Sequence, residues 1–446
     1  MKRYLLSVIL GLVGTPWLLR AQDAPKPTVQ TLVIKAAHLI DPVAGTVQDN
    51  VAVVIDGDKI RSVGPAAQVT GTLPAGAKVI DLGKATVLPG LIDCHVHLSS
   101  NPGKYYEGIL RQSSTDIATI MHLYARRTLF AGFTTVRNVG AVDYLDFALR
   151  RAINAGDVVG PRMLCCGVPL SATGGHGDLN GMSPSLHIDT VASDIADGPE
   201  AIRKTVRNNV KYGADWIKIL ASAGVLSEEE SVGRPQYSEE EMKAAVDEAK
   251  LWGRSVAAHA HGSEAIKMAV RAGVKSIEHC SLVDDEGIRL MKEKDAWLVP
   301  TIYCVDYVNA EYTKLGFPQH VLDKAAMVDK QRIETFRKAV QAGVHIAFGT
   351  DAGVYPHGQN AREFHYMVER GMTPMAAIQA ATTGAAELIG WKDKVGQLAP
   401  GYFADLIAVS DDPVANIRTL ENVPFVVKGG VLYKNILTTD PAFQAE

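Results

Sequence analysis

The chain has 446 residues, of which 47% are hydrophobic and 21% are charged, a composition that is ordinary for a globular enzyme. This length is sufficient for one large domain and a smaller one. The net charge of −4, without a dense cluster of Lys and Arg, excludes a typical nucleic-acid-binding protein, because such proteins carry basic patches.

The N-terminal residues 1–22 have the features of a secretory signal peptide. Lys2 and Arg3 form a basic start, and residues 4–19 are mostly apolar. Residues 21–24 include small residues of the kind at which a signal peptidase cleaves. The apolar run is short and is interrupted by glycine and proline, which favours a signal peptide over a membrane-spanning helix. The alternative is an uncleaved membrane anchor. We expect a periplasmic or secreted protein without stable membrane insertion after cleavage.

The number of cysteines is odd, and no two of them form a C-x-x-C pair. Most of them lie in apolar, strand-like runs, so we predict buried free thiols, with one or two disulfides as the alternative. The cysteines are Cys94, Cys165, Cys166, Cys280 and Cys304.

Both ends of the chain are rich in short β-type runs. In residues 23–85, the runs 51–55 and 60–63 are separated by a turn at hairpin distance, and residues 394–446 have the same texture, for example at 404–409. Two β-rich ends around a different middle predict one small β-sandwich domain built from both chain ends.

The middle of the chain, residues 86–393, alternates short apolar runs with amphipathic helical segments such as 238–252 and 263–272. Strands that alternate with helices predict a parallel sheet, and eight such units in this length predict an α/β fold of the (β/α)8 TIM-like barrel type. The predicted strands are residues 91–97, 134–139, 162–168, 216–220, 255–261, 276–280, 297–302 and 345–349.

Chemically active side chains lie at the ends of these predicted strands, where the catalytic groups of such barrels are found. His95 and His97 are two residues apart, so their imidazoles face the same side of a strand and can converge on one metal ion. An H-x-H pair alone is a weak signal. The other strand-end candidates are Lys218, His259, His261, His279 and Asp351.

Lys218 lies inside an apolar strand, where an ammonium group is costly to bury. One explanation is an ion pair, for example with Asp351. The other is chemical: a desolvated lysine has a lowered pKa, and its neutral amine can take up CO2. The product is an anionic carbamate with two oxygens that can bridge two cations.

The order H-x-H, Lys, His, His, Asp on successive strands resembles the amidohydrolase superfamily in its binuclear metal subtype. The resemblance covers nearly the whole chain. It is closest to the imidazolonepropionase-like and prolidase-like branch, which includes metal-dependent Xaa-Pro and Xaa-Arg/Lys dipeptidases and ochratoxin-degrading amidohydrolases. Asn138 departs from the aspartate expected at its position. The matching phrases are GFTTVRNVG (132–140), GGHGD (174–178), GADWIKI (213–219), AAHAHG (257–262), IEHC (277–280) and FGTDAG (348–353).

The resemblance implies two divalent metal ions, zinc by preference for histidine and oxygen ligands, and a hydroxide that bridges them. The implied ligands are His95, His97, Lys218 as a bridging N6-carboxylysine, His259, His279 and Asp351. Asp351 is implied to be general base and then general acid. A mononuclear deaminase or a degenerate, non-catalytic homologue is the alternative, although the first lacks the bridging lysine and the second loses ligands. Relatives are often homo-oligomers, and we expect the same here.

The resemblance also implies substrate-binding residues. His176, in a glycine-rich loop, and Tyr237 match a histidine and a tyrosine that bind the carbonyl or carboxylate of the substrate, and we expect both to assist catalysis. His261 shares a strand face with His259 and is a further candidate. The structural alternatives are loop ordering for His176, packing before a helix for Tyr237, and a core histidine for His261. For Arg137 we prefer a bracing function over substrate binding.

The predicted activity is hydrolysis of the amide bond of a dipeptide or an N-acyl amino acid, including ochratoxin A-type amides, with release of a free amino acid. A site with about one net positive charge suits a small substrate that bears a carboxylate. Hydrolysis of a cyclic amide or a lactone is the alternative, and a non-enzymatic assembly protein is a third. Loops at 170–199 and 303–319 are expected to form the pocket, where Asp306 hints at a basic side chain and Tyr303 at an aromatic one.

Overall fold

The computed structural model describes residues 31–71, 73–102, 111–183, 185, 194–228 and 231–438. The predicted signal peptide, residues 1–22, lies outside the described residues. The fold is a mixed α/β structure, in which strands gathered from both chain ends form one sheet and the middle of the chain forms parallel sheets with helices between the strands.

The described residues contain seventeen strands. Five lie in the N-terminal part: β1 (Thr31–Asp41), β2 (Thr46–Asp56), β3 (Lys59–Pro65), β4 (Lys78–Asp81) and β5 (Thr86–Pro89). Nine lie in the middle: β6 (Leu91–Val96), β7 (Phe133–Asn138), β8 (Arg162–Cys165), β9 (Leu170–Ser171), β10 (Asp194–Ile195), β11 (Trp216–Leu220), β12 (Ser255–Gly262), β13 (Ser276–Leu282) and β14 (Trp297–Val299). Three lie near the C-terminus: β15 (Leu406–Val409), β16 (Phe425–Lys428) and β17 (Val431–Asn435).

The same part of the chain contains twelve α-helices. The first six are α1 (Ala66–Thr70), α2 (Ser114–Phe130), α3 (Leu145–Ala155), α4 (Gly198–Tyr212), α5 (Glu239–Leu251) and α6 (Ser263–Ala272). The second six are α7 (Asp285–Glu293), α8 (Ile302–Glu311), α9 (Gln319–Ala342), α10 (Arg362–Glu369), α11 (Pro374–Ala380) and α12 (Thr383–Leu388).

The chain ends share an eight-stranded sheet in the order β17-β16-β15-β5-β1-β2-β3, with β4 on β1. The strand β5 joins the two ends, because it pairs in parallel with β1 and antiparallel with β15. The predicted union of both ends is therefore present, although β5 extends this sheet to Pro89, past the predicted boundary at residue 85. The sandwich itself stays a prediction, since these strands belong to one sheet.

The middle strands are parallel, as the alternation of strands and helices predicted. They form a three-stranded sheet, β6-β7-β8, and a six-stranded sheet, β10-β9-β11-β12-β13-β14. The register of β11 on β12 places Lys218 beside Ala257 and Leu220 beside His259. Because residues two apart on a strand share a face, Lys218 and His259 lie on one face of this sheet.

The eighth predicted strand, residues 345–349, is not a strand in the structure. The segment makes single parallel bridges on either side, Leu298 to Ile346 and Val96 to Ala352, next to β14 and β6. The reason is that the end of α11 competes for its backbone: the N–H of Phe348 donates to the carbonyl of Ala380, a helix-end group, and not to a neighbouring strand. The carbonyl of Phe348 still accepts from Cys94.

Local sequence signals set the helix limits. Ser238 caps α5 in a capping box with Glu241, and α6 ends at Gly273, whose φ of 95° suits the left-handed end of a helix. The predictions for these two helices are confirmed. The segment 303–319, expected as a loop, is largely helical because α8 occupies most of it.

The five cysteines are all buried and free, as predicted. Burial raises the pKa of the Cys94 thiol to about 12, so it is inert at neutral pH. None of the helices in the described part of the chain is both long enough and apolar enough to cross a membrane.

Candidate metal centre

The end of β6 brings His95, and His97 directly after the strand, close to Asp351, which lies in the segment that bridges to β6. The Nε2 atoms of His95 and His97 are each 3.4 Å from Oδ1 of Asp351. The ligand atoms of these three residues lie within 4.8 Å of one another, close enough to share one ion. His95 is buried, and the side chain of His97 is 26% exposed.

A second group lies at the ends of β12 and β13. The ligand atoms of His259, His261 and His279 also lie within 4.8 Å of one another. The ring of His279 is centred 4.6 Å from that of His259 and 5.0 Å from that of His95, so the two groups form one continuous cluster. The five predicted histidine and aspartate ligands are therefore together, and His261, predicted only as a substrate-binding residue, is within the second group.

Lys218 is the buried cation of this cluster. Its side chain is only 2% exposed, and its charge contributes to lowering the pKa of His97, His259 and His279. Burial lowers the pKa of Lys218 itself, although Glu278 and Asp351 act in the opposite direction. The shift favours the neutral amine, which is the form that reacts with CO2.

Four histidines of the cluster, His97, His259, His261 and His279, are held as neutral rings. Burial, more than any other cause, lowers the pKa of His97 to about 4 and that of His261 to about 3, and lowers the pKa of His259 and His279 well below the usual value. For Asp351, burial raises the pKa, but the neighbouring His95, His97 and Lys218 lower the net value below normal. Neutral imidazoles next to an ionised carboxylate are the forms that bind a divalent cation.

Hydrogen bonds to Nδ1 orient four of these rings. Nδ1 of His95 is 2.8 Å from the carboxylate of Glu278, and Nδ1 of His97 is 3.3 Å from the carbonyl of Gly140. Nδ1 of His261 is 2.9 Å from the hydroxyl of Ser281, and Nδ1 of His279 is 2.7 Å from the hydroxyl of Thr301. A carboxylate and a carbonyl only accept, so Nδ1 of His95 and of His97 carries the hydrogen, and the Nε2 atoms of these two rings keep their lone pairs for another ligand.

A left-handed backbone re-aims two of the candidate ligands. Consecutive residues on a strand face opposite sides, yet Glu278 and His279 both reach the cluster. His279 has a φ of 70° and Asp351 a φ of 61°, values that are unfavourable for residues with a side chain and that concentrate at functional sites. The following Cys280 and the contacting Thr301 share this conformation, with φ of 56° and 46°.

Sequence reasoning missed Glu278, which supports the cluster from below. Its carboxylate accepts from Nη2 of Arg137 at 2.8 Å and is 2.8 Å from Nδ1 of His95. Burial raises its pKa, but Arg137 and the hydrogen bond from His95 lower the net pKa to about 2. Arg137 also donates to the Cys94 carbonyl and to Ser276, so it has the predicted bracing function. A carboxylate in the apolar run SIEHC was the available signal.

His176 lies against the cluster. Its ring is stacked on that of His259 with centroids 4.2 Å apart, and its Nδ1 atom is buried without a hydrogen-bond partner among the described residues. Tyr237 is differently placed: its side chain is buried, and its hydroxyl donates to the carbonyl of Ala196 at 3.0 Å. The structure thus brings His176 to the predicted site, and it commits the hydroxyl of Tyr237 to the backbone.

Two further residues brace the cluster. Asn138 accepts from the N–H of Leu98 and donates to the carbonyl of Gly140, the same carbonyl that contacts His97. The asparagine therefore keeps a supporting contact where an aspartate was expected. His357, in the loop after Asp351, is buried, with Nε2 2.8 Å from the carbonyl of Ser100.

Comparison with known proteins shows which family the chain resembles in sequence and in structure. The Amidohydrolase family profile matches residues 86–433. Ochratoxinase of Aspergillus niger is 33% identical over 454 aligned residues, covering 96% of this chain and 91% of the relative. A crystal structure of a Xaa-Pro dipeptidase with bound methionine in the active site superposes with a TM-score of 0.85 at 41% identity, over 91% of this chain and all of the other. A prolidase complexed with N-methylphosphonate-L-proline gives a TM-score of 0.84 at 34% identity, with 91% and 100% coverage.

Matches of this extent, over both the sequence and the fold that carries the histidine cluster, establish the family. The chain belongs to the amidohydrolase family, in its prolidase-like and ochratoxinase-like branch, and is a hydrolase that acts on amide or peptide bonds.

Proposed function

We propose that this protein is a binuclear metallohydrolase that cleaves the amide bond of dipeptides or N-acyl amino acids and releases a free amino acid. The observation that carries the proposal is the pair of adjacent histidine-rich groups, with a buried lysine within electrostatic reach of residues in both. Relatives described as a Xaa-Pro dipeptidase, a prolidase and an ochratoxinase support the class of substrate.

The donor set fits a metal site. The Nε2 atom of His259 is buried and has no hydrogen-bond partner among the described residues, a costly arrangement unless another ligand binds there. Imidazole nitrogens with carboxylate oxygens suit zinc. We assign His95, His97 and Asp351 to one ion and His259 and His279 to the other, with the carbamate of Lys218 between them.

The carbamate requires only the chemistry of Lys218 itself. Its neutral amine attacks CO2, a C–N bond forms, and one proton leaves to solvent, so that a positive or neutral side chain becomes an anion. The lowered pKa of the lysine favours the reacting form, and the anion replaces an ammonium that would repel cations.

The residues around the cluster support amide hydrolysis. Bound divalent ions supply Lewis acidity, which polarises a carbonyl and lowers the pKa of water. Asp351 is ionised and can accept the proton of the attacking water and deliver it to the leaving nitrogen. His176, with a free Nδ1 position, can donate to the carbonyl oxygen as negative charge develops. Tyr237 contributes only if its hydroxyl leaves the carbonyl of Ala196.

The pocket chemistry favours a non-basic substrate side chain. Asp306, which the sequence offered as a partner for a basic group, accepts hydrogen bonds from Arg332 at 2.9 Å and from Arg370 at 2.7 Å. Two guanidinium groups therefore already compensate its charge. Tyr303, on α8, contacts the rings of Tyr307 and Tyr355 edge to face, so an aromatic or apolar side chain is the better expectation.

We extend three further proposals from the sequence and the family. The two parallel sheets form one (β/α)8 barrel that residues 345–352 complete, which the bridges to β14 and β6 support. Residues 1–22 direct export to the periplasm or the medium, which N-terminal sequencing of the mature protein tests. The protein assembles as a homo-oligomer, which light scattering tests.

Hydrolysis of a substrate panel by zinc-loaded protein tests the activity. The panel spans N-acyl amino acids and dipeptides with Pro, Phe, Arg or Lys at the C-terminal side, and includes ochratoxin A. Release of the free amino acid, absent in Lys218→Ala, supports the proposal. The matched control is Lys428→Ala, which removes a partly buried lysine of the terminal sheet that donates to the carbonyl of Gly160. Full metal binding without any cleavage contradicts the proposal and directs attention to lactones and cyclic amides.

A further inference from the structure

His261 is a buried imidazole that the ligand set implied by the family leaves out. It follows His259 by two residues on β12, so both side chains point to the same face of that strand. Only 4% of His261 is exposed. A buried polar ring is costly unless partners satisfy it, so the position of this ring inside the cluster needs a reason.

A bulge on the neighbouring strand brings a third imidazole to the same face. Ala260 is paired with His279 and Gly262 with Leu282, so β13 has one residue more than β12 between these pairs. Paired residues of neighbouring strands normally face the same side, and Ala260 faces away from the two histidines of β12. The left-handed φ of 70° at His279 turns its ring towards them. Bulges that re-aim a side chain are frequent next to active sites.

The three rings form one compact set, the three-histidine group of His259, His261 and His279. The ring centroids of His259 and His261 are 4.8 Å apart, and that of His279 is 4.6 Å from the first and 4.9 Å from the second. One ligand atom from each ring lies within 4.8 Å of the other two. Three histidines and one open position are the ligand set of one type of catalytic zinc site. The group is therefore complete without a lysine.

Two hydroxyl groups hold His261 in this position. Its Nδ1 atom is 2.9 Å from the hydroxyl of Ser281, and its backbone N–H donates to the hydroxyl of Ser222 at 3.0 Å. A hydroxyl can accept the hydrogen of Nδ1, and in that tautomer Nε2 carries the lone pair that a metal ion needs. A hydrogen bond to the second ring nitrogen is the usual support of a metal-binding histidine.

We propose that His261 is a metal ligand, and that the three-histidine group holds one divalent ion without the carbamate on Lys218. The inference rests on the metal centre of the proposed function and adds to it a state with an unmodified lysine. The ligand set implied by the family makes Lys218 a ligand of both ions, whereas the three-histidine group does not use it.

The test starts from Lys218→Ala/Asp351→Asn, called the background variant. It lacks the lysine and the carboxylate of the other ligand group, which keeps only His95 and His97, while the three-histidine group is intact. Cobalt(II) is added to the metal-free protein as the probe, because its visible absorption depends on the number and geometry of its ligands.

Two substitutions are compared in the background variant. His261→Gln removes the proposed ligand. His176→Gln is the matched control, because the ring of His176 also contacts that of His259, with centroids 4.2 Å apart, and lies outside both ligand groups. An effect that depends only on packing against His259 would therefore appear in both.

The background variant is expected to bind one cobalt ion with the absorption of a four-coordinate site. His261→Gln weakens cobalt binding by about 100-fold or more, since the loss of a mere hydrogen-bond partner of a ligand already costs about 10- to 100-fold. His176→Gln leaves cobalt affinity and absorption unchanged. The inference is overturned if the background variant binds no cobalt, if His261→Gln binds it as tightly, or if both substitutions have the same effect.

The unfolding temperature of every variant is measured alongside. If the background variant does not fold, Lys218→Ala alone takes its place, and His261→Gln is expected to lower its cobalt content by one ion; an unchanged content overturns the inference. None of these measurements uses hydrolysis. A wild-type protein that binds metal and cleaves no amide would thus refute the proposed function and leave the result for His261 as it stands.

Discussion

The buried carboxylate of Glu278 offers the sharpest test of how the cluster is supported. Replacing it with Gln keeps the size of the side chain and removes the negative charge. Arg137 then loses its ionic partner in a position with no exposed surface, and Nδ1 of His95 loses the acceptor that fixes its ring. We expect the Glu278→Gln protein to be less stable and to bind metal more weakly.

The pKa of Glu278 gives the magnitude. It falls from 4.5 to about 2 on folding, and each unit corresponds to about 1.4 kcal/mol, so the ionised carboxylate contributes about 3 kcal/mol to the free energy of unfolding. The contribution is complete above pH 4.5 and is lost as the pH falls from 4.5 to 2. It agrees with the loss of about 3–5 kcal/mol that follows when one partner of a buried ion pair is removed.

The assay has two parts. Denaturant unfolding of the metal-free protein at pH 7 is expected to show a loss of about 3 kcal/mol in Glu278→Gln, and chelator competition is expected to show metal affinity about 10- to 100-fold lower. The control is Glu248→Gln, which removes the carboxylate partner of Arg207. Because Arg207 is 58% exposed, that change is expected to cost less than about 1 kcal/mol and to leave metal affinity unchanged.

Glu278→Gln with wild-type metal affinity would refute the claim that the carboxylate orients His95. Wild-type stability would show that Arg137 does not depend on the charge of Glu278. A loss of stability equal in Glu278→Gln and Glu248→Gln would show that burial of the pair has no special effect.

Three further predictions follow from single contacts. Gly224→Ala displaces His176 and lowers kcat about 10-fold or more without unfolding the protein. The control Gly64→Ala, whose Cβ would be 3.6 Å from its nearest neighbour, leaves kcat unchanged. A normal kcat in Gly224→Ala contradicts this prediction. Burial raises the pKa of Glu363 from 4.5 to about 8. The free energy of unfolding therefore falls by up to about 5 kcal/mol as the pH rises from 4.5 to 8. Denaturant unfolding at a series of pH values is expected to show a weaker pH dependence in Glu363→Gln. Removal of metal by a chelator lowers the unfolding temperature and abolishes hydrolysis, since an ion present at 100-fold its Kd adds about 2.7 kcal/mol to the free energy of unfolding. A Tm and a rate that change neither with chelator nor with added zinc exclude a metal site.

Periodicity and local chemistry predicted most of the architecture. The alternation of strands and helices predicted the parallel sheets, and the placement of His95, His259 and His279 on parallel strands was sufficient to bring these histidines together. These signals are local, because strand faces, helix caps and a charge within an apolar run can each be read from a few neighbouring residues.

The features that sequence did not predict depend on distant partners. The segment 345–349 lost its strand conformation because a carbonyl at the end of α11 takes the N–H of Phe348. The pair of Arg137 and Glu278 joins β7 to β13, and the hydroxyl of Tyr237 finds Ala196 in the segment before α4. No short window of sequence contains both members of such pairs.

The joining of both chain ends by β5 has a consequence for biosynthesis. Residues 86–89 leave the ribosome more than 300 residues before their antiparallel partner, residues 406–409. Until then one edge of the N-terminal strands is open, and an open edge invites pairing with other chains. A chain that stops before residue 406 therefore keeps all its candidate metal ligands and still exposes the edge of β5, to which β15 would otherwise pair.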